Sequence, residues 1–420
     1  MSQPVRKFLL ISIDSWRYDA LSRTNPRLNT PKFDALTEGF SLAERFFVTA
    51  PATRPSHASL FTGLYPFEHG LYGQTYLKMF DGIPNLFRRF SEAGYHITGR
   101  SERPDVFRFL DFDRFIGPMD PAVRDQHLGS LENLLGMFAL PEETSQFCFL
   151  HFFYTHGGYG MRGMPSAPNL RQMVAEGRGE EALRFYHAAA VHVQEFLIVE
   201  VLKRVPLDRW AVFIFGDHGE GFCEEVMAHG DRLHQNVVHV PLLAHAPGRE
   251  GLTFPEGPVS MIDLFPTLAG LAGLGVDYRG YGRDLLKGGG RNEERWVLTE
   301  LDSLYGIGFL RPQYLDLKRD QITSRVSVGH RELERDPEGG RSWTITDGRR
   351  LYREDEGTGE FVLREVMSGE DLPCDDPGPF RAIREGILSG SAYRGLQAQE
   401  ATSEEARILE ERLRALGYIA

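Results

Sequence analysis

Short apolar runs closed by turn residues recur along the chain, and between them lie stretches where apolar positions return every three to four residues. The runs predict strands at 8–13, 147–153, 211–215 and 239–244. The longer period predicts helices at 31–38, 84–93, 121–139 and 178–204, the last stopped by Pro206. Strands that are apolar almost throughout must be covered on both faces. The alternation therefore predicts an α/β fold with a mainly parallel sheet flanked by helices. In such sheets ligands collect at the carboxyl ends of the strands. Asp14, His156 and the pair Asp217-His218 all stand just past such ends.

The pattern is interrupted by a glycine-rich connection, Lys287-Gly288-Gly289-Gly290-Arg291-Asn292-Glu293-Glu294. Residues 1–290 are predicted as the main domain and 291–420 as a small C-terminal α+β subdomain. Strands are expected there at Trp296–Thr299, Ser342–Thr346 and Phe361–Val366, with an amphipathic helix around 402–415.

A chain of 420 residues accommodates one large α/β unit and such an annex. A formal net charge of −12 argues against a binder of nucleic-acid polymers, which needs clustered Lys and Arg to neutralise phosphates. The first apolar run is short and reaches Asp14, so no secretory signal is expected, and no membrane segment is apparent. Cys148, Cys223 and Cys374 are too few and scattered for a disulfide framework or a cysteine zinc site. A cytoplasmic location is the resulting expectation.

The candidate chemistry sits in three places. Phe8-Leu9-Leu10-Ile11-Ser12-Ile13 ends at Asp14, and Ala211-Val212-Phe213-Ile214-Phe215-Gly216 ends at Asp217-His218-Gly219-Glu220. Between them lies Thr53-Arg54-Pro55-Ser56-His57-Ala58-Ser59-Leu60-Phe61-Thr62-Gly63, whose Pro55-Ser56 marks a helix start. A threonine hydroxyl is a poor nucleophile unless a base or a cation activates it. Asp14, Thr53, Asp217 and His218 are the parts of such a device, with the helix N-terminus offering N–H groups to an anion. Taken singly, Thr53 also reads as a plain helix cap, and Asp217-His218 as a turn. The mixed oxygen and nitrogen set suits zinc or manganese, and calcium less well.

In this order the residues resemble the alkaline phosphatase superfamily, in its sulfatase-like branch. The likeness runs through Leu10–Asp14, Thr30-Pro31, Thr53–Gly63 with Tyr65-Pro66 and His69-Gly70, Asn85-Leu86, and Ala93-Gly94-Tyr95. It continues through His151–His156, Gly216–Glu220, His229-Gly230, His239–Leu243 and Ile262–Thr267, and the tail Leu416-Gly417-Tyr418 also matches. The resemblance implies an alkaline-phosphatase-like sheet and a metal-dependent ester hydrolase with one or two divalent ions. Two-metal relatives imply a second site drawn from His156, His229 and Asp231, with Tyr154 where many carry an acid. His229 or His156 would otherwise protonate the leaving group. Arg54 and Arg100 are candidates for holding the substrate's charge, since a guanidinium matches phosphate oxygens.

Departures from the family pattern narrow the chemistry. Sulfatases carry a Cys or Ser that matures to formylglycine, and Thr53 has no such route. Ser15 stands where a second acid follows the first strand, His57 replaces an Arg, and Asp217-His218 resembles phosphonate monoester hydrolases and phosphodiesterases. The expectation is hydrolysis of a small anionic phosphoester, a phosphodiester or phosphonate monoester, through a covalent phosphothreonine at Thr53. The alternatives are sulfate ester hydrolysis, phospho-group transfer, and a catalytically silent binding scaffold.

Overall fold

The computed structural model describes residues 3–72, 82–101, 107, 114–116, 136–156, 170–222, 227–230, 232–249, 252–286, 294–302 and 341–393. Its centre is a seven-stranded sheet in the order Ser41–Leu42, Leu242–His245, Trp210–Gly216, Lys7–Ile13, Gln146–Phe152, His96–Ser101, Arg114–Ile116. Leu242–His245 runs antiparallel to both of its neighbours, and every other pairing is parallel. The expected α/β fold is present. The predicted strand at 239–244 begins three residues later, because Pro241 has no N–H for the ladder. His96–Ser101 escaped the apolar reading, since Gly99, Arg100 and Ser101 break its run.

Side chains alternate between the two faces of the sheet. One face carries Phe8, Leu10, Phe147, Phe149, Phe213 and Phe215, packed against Leu60 and Phe61 of the helix Thr53–Thr62. The other carries Leu9, Ile11, Cys148, Leu150, Val212 and Ile214, packed against Tyr186, Ala190, Val193 and Val201. Full burial of each large apolar side chain is worth about 1.5–3 kcal/mol, so the two layers hold the sheet firmly. The second layer is a continuous helical run: Gly179–His192, a π-helical stretch Val193–Ile198, then Val199–Leu202. By length and composition this run could cross a membrane, and here it covers the sheet.

Register sets up the site. Ile13 lies opposite both Phe152 and Gly216, so the three central strands end at one level. The Asp14 N–H donates to the Phe152 carbonyl at 2.9 Å. Asp14 and Asp217 therefore emerge side by side at the carboxyl edge.

A five-stranded antiparallel sheet follows, in the order Val297–Asp302, Arg341–Thr346, Arg350–Asp355, Phe361–Glu365, Asp371–Leu372, with the helix Gly378–Ser389 against it. The strand Arg350–Asp355 was not foreseen, because its sequence is dominated by charges around Leu351 and Tyr352. Leu298, Trp343, Ile345 and Tyr352 share one core with Tyr65 and Ile262 of the main sheet's side, and Arg295 grips Asp263 with two bonds of 2.7 Å. Of the predicted helix at 121–139, Gly136–Phe138 forms a single 3-10 turn, and 121–135 lie outside the described residues. So do positions 287–293 of the connection and the helix expected at 402–415.

Glu300 is buried at the seam between the two sheets, where its Oε2 accepts the Phe67 N–H at 3.2 Å. Burial raises its pKa more than Arg384, the Phe67 N–H and Arg341 lower it, and the carboxyl is pushed up to about 7. As pH rises, the unfolded chain loses this proton first, so stability falls from the ordinary carboxyl range up to about pH 7 and then levels off. The substitution Glu300→Gln is expected to flatten that slope and to stabilise the protein at about pH 8 by up to roughly 3 kcal/mol. Urea unfolding across about pH 5 to 8 measures it, and an undiminished slope in the variant would contradict the assignment.

Candidate active site

The helix Thr53–Thr62 is buried at all ten positions. Its N-cap is Ala52, in extended conformation, and Thr53 is the first helical residue. The Thr53 hydroxyl is thus not occupied in capping. Gly63 closes the helix at φ 72°, and a Cβ there would meet Tyr278 Cε2 at 2.6 Å, so only glycine fits. Two side chains tie the helix to the strand ends. Ser56 Oγ donates to the Asp217 carbonyl at 2.6 Å, and His57 Nδ1–H donates to the Thr53 carbonyl at 2.7 Å. His57 Nε2 then accepts from Ser12 Oγ at 2.9 Å. Burial pushes the His57 pKa down to about 4, against the pull of Asp217, so this imidazole is neutral at pH 7.

Thr53 Oγ1 donates to Asp14 Oδ2 at 3.0 Å and stands 3.3 Å from His218 Nε2. Asp14 and Asp217 are both fully buried. Ser15 serves both: its hydroxyl donates to Asp14 Oδ1 at 2.7 Å and its N–H to Asp217 Oδ1 at 3.0 Å. Doing so requires φ 56°, the one positive φ outside glycine among the described residues. Tyr186 pins this turn by donating to the Ser15 carbonyl and accepting the Arg17 N–H. The His218 N–H adds a further bond to Asp217 Oδ1, at 2.8 Å. Burial pushes both carboxyls up, and the surrounding imidazoles outweigh it; His156 and His151 hold Asp14 well below the usual range, and His218 lowers Asp217.

The His218 imidazole is oriented by its own neighbour. Its Nδ1 lies 2.9 Å from the Gly219 carbonyl, which can only accept, so the proton sits on Nδ1 and Nε2 faces Thr53. Gly219 is obligatory here, because a Cβ would strike the Asn236 carbonyl at 1.9 Å. Next to it, the His229 ring lies tilted by 37° at 4.3 Å between ring centres and donates from Nδ1 to Glu220 Oε1 at 3.0 Å. His156 lies edge-on to His229 at 5.1 Å and flat on Phe153 at 4.1 Å.

Asp14, Thr53, Asp217 and His218 are therefore brought together, with His229 and His156 in a second layer beside them. Arg54 is buried on the first turn of the helix. Arg100 leaves its strand on the face opposite Ile97 and Ser101, away from the face that carries Thr53. Asp231 lies outside the described residues. His239 and His245 bond the Glu44 and Leu207 carbonyls, and both are packing residues.

His151 was passed over as a candidate, though it belongs to this centre. It sits one position before the end of its strand, opposite Ser12 and Ser101, and its Nδ1 lies 2.8 Å from Ser101 Oγ. Its Nε2 stands 3.4 Å from Asp14 Oδ2 and 3.8 Å from Asp217 Oδ2. Burial opposes its protonation, the two carboxylates override this, and its pKa is pushed up to about 9. The signal was period two: Phe147, Phe149 and His151 share one face, and the last of them is polar.

The centre fits a divalent cation. Among the described residues, the buried atoms Asp217 Oδ2 and His151 Nε2 have no hydrogen-bond partner. Ligand atoms of Asp14, His151 and Asp217 all lie within 4.8 Å of one another. Carboxylate and imidazole donors converging on one buried point are what a small cation requires.

The sequence profile of the Sulfatase family matches residues 6–274. Over 289 residues the chain is 23% identical to the Delta 4,5-hexuronate-2-O-sulfatase of Bacteroides thetaiotaomicron, covering 55% of this chain and 60% of that protein. The match thus spans less than two thirds of that relative. The fold superposes on a 2-O GAG sulfatase with a TM-score of 0.69 at 17% identity, over 96% of each chain. It superposes on the phosphonate monoester hydrolase of Agrobacterium radiobacter with a TM-score of 0.64 at 18% identity, over 99% of this chain and 96% of that one. The profile match runs across the central sheet, the Thr53 helix and both carboxylates, and on it the chain belongs to the sulfatase family, within the alkaline phosphatase superfamily.

Proposed function

We propose that the protein is a metal-dependent hydrolase of small anionic phosphoesters, phosphodiesters or phosphonate monoesters, with Thr53 as nucleophile. The observation that carries this reading is the Thr53 hydroxyl, 3.0 Å from Asp14 Oδ2 and 3.3 Å from His218 Nε2. A divalent ion held by Asp14, Asp217 and His218 beside Thr53 would neutralise the ester's charge and acidify the hydroxyl.

The protein's own residues supply the rest. Asp14 takes the Thr53 proton as the Oγ1–phosphorus bond forms and the bond to the leaving oxygen breaks. His229, held by Glu220, protonates the departing oxygen. Water then attacks phosphorus, and Thr53 leaves as the alcohol. Arg54, on the first turn of the Thr53 helix, holds the substrate's negative charge. The likeness to a phosphonate monoester hydrolase supports this reading, as does a residue with no route to formylglycine. Sulfate esters form the second reading, which the names of the curated relatives favour.

Two outcomes test the proposal. Thr53→Ala is expected to lower turnover of aryl phosphodiesters and phosphonates by about 10³-fold or more. In acid-quenched wild type, mass spectrometry would find a phosphoryl group on the peptide carrying Thr53. Full turnover by Thr53→Ala, or turnover of aryl sulfates alone, defeats the reading. Zinc or manganese at about 100 times its dissociation constant is expected to stabilise the fold by about 2.7 kcal/mol. Asp217→Asn would abolish that gain, as read by the shift in thermal unfolding.

A further inference from the structure

We infer that His151 is itself a ligand of the site's cation, so that two imidazoles and two carboxylates select a zinc-class transition ion over calcium. This rests on the proposed cation site and adds to it a nitrogen ligand that strengthens its preference for zinc over calcium.

The geometry at the end of the strand Gln146–Phe152 carries the inference. His151 is buried, and its Nδ1 is engaged with Ser101 Oγ at 2.8 Å. That contact leaves Nε2 directed at the two carboxylates, 3.4 Å from Asp14 Oδ2 and 3.8 Å from Asp217 Oδ2. An imidazole acting only as counter-ion would close to hydrogen-bond distance on one carboxylate, near 2.8 Å by the usual geometry of charge-assisted pairs. His151 Nε2 stands off both and, among the described residues, has no hydrogen-bond partner; neither has the facing Asp217 Oδ2.

His218 faces the same carboxylates, with Nε2 3.9 Å from Asp14 Oδ1 and 3.7 Å from Asp217 Oδ2. Ser15 brings only donors to Asp14 and Asp217, so these two carboxylates keep their negative charges, which match one divalent ion, while the nearby Glu220 is paired with His229. Calcium prefers six to eight oxygen ligands, whereas imidazole nitrogen favours zinc and its neighbours.

The experiment uses full-length protein, stripped with chelator and reloaded with cobalt(II), then read by metal analysis and proton NMR. Two hyperfine-shifted exchangeable imidazole N–H signals are expected in the wild type, from His218 and His151, and one in His151→Asn. Zinc affinity, measured by competition, should fall by about 10- to 100-fold in that variant, while calcium binds the wild type far more weakly than zinc. Should His151→Asn fold poorly, His151→Gln and the wild-type signal count still decide. One shifted signal in the wild type, with zinc affinity unchanged in the variant, overturns the role of His151 and leaves the cation site standing. Asp217→Asn marks that site separately. If the wild type takes up no cobalt, both the ligand assignment and the cation reading fall.

Discussion

Two carboxylates buried side by side are the constraint around which the molecule is arranged. Asp14 and Asp217 leave adjacent parallel strands at the same level and are both sealed from water. Burying one unpaired charge costs several kcal/mol, and burying two like charges in contact costs more. The protein answers with Ser15, the Thr53 hydroxyl, the His218 N–H and a ring of imidazoles. Even so, one oxygen of Asp217 receives no hydrogen bond among the described residues. A pocket so organised is stable only in company with positive charge.

The scaffold follows from that need. A parallel sheet covered on both faces brings strand ends together without exposing their edges, and its register decides which side chains meet. The ends of Lys7–Ile13, Gln146–Phe152 and Trp210–Gly216 coincide, so three separate segments contribute to one point. The Thr53 helix is clamped to two of these ends through Ser56 and His57. His57 is buried and neutral, and it therefore adds hydrogen bonds without adding charge.

Much of this was legible in the sequence, and the exceptions have physical reasons. Asp14 and Asp217 announce themselves because each terminates an apolar run with a charge that the interior would not otherwise accept. Thr53 was legible only in their presence. His151 was hidden inside a run that reads as continuous core, because a histidine flanked by Leu150 and Phe152 looks like packing until faces are counted. Arg100 shows the converse: its guanidinium suggested a place beside an anionic substrate, whereas alternation along its strand turns it to the other face. The charged strand Arg350–Asp355 was invisible for a third reason, since partners across an antiparallel sheet, rather than its own hydropathy, hold it in place.

One helix contains the comparison that explains why Thr53 is available for chemistry. Thr62, at its far end, donates its hydroxyl to the Ala58 carbonyl one turn earlier, at 2.7 Å. That is the ordinary fate of a helical threonine, and it leaves the oxygen occupied and inert. Thr53 is the first helical residue, and no turn precedes it to offer a carbonyl. Its hydroxyl must find an acceptor outside the helix, and it donates to Asp14 with His218 Nε2 close by. A β-branched side chain also has restricted χ1 freedom, so the oxygen is held toward Asp14 and His218 at little further entropic cost. Position within the helix, more than residue type, separates the hydroxyl that packs from the hydroxyl that can attack.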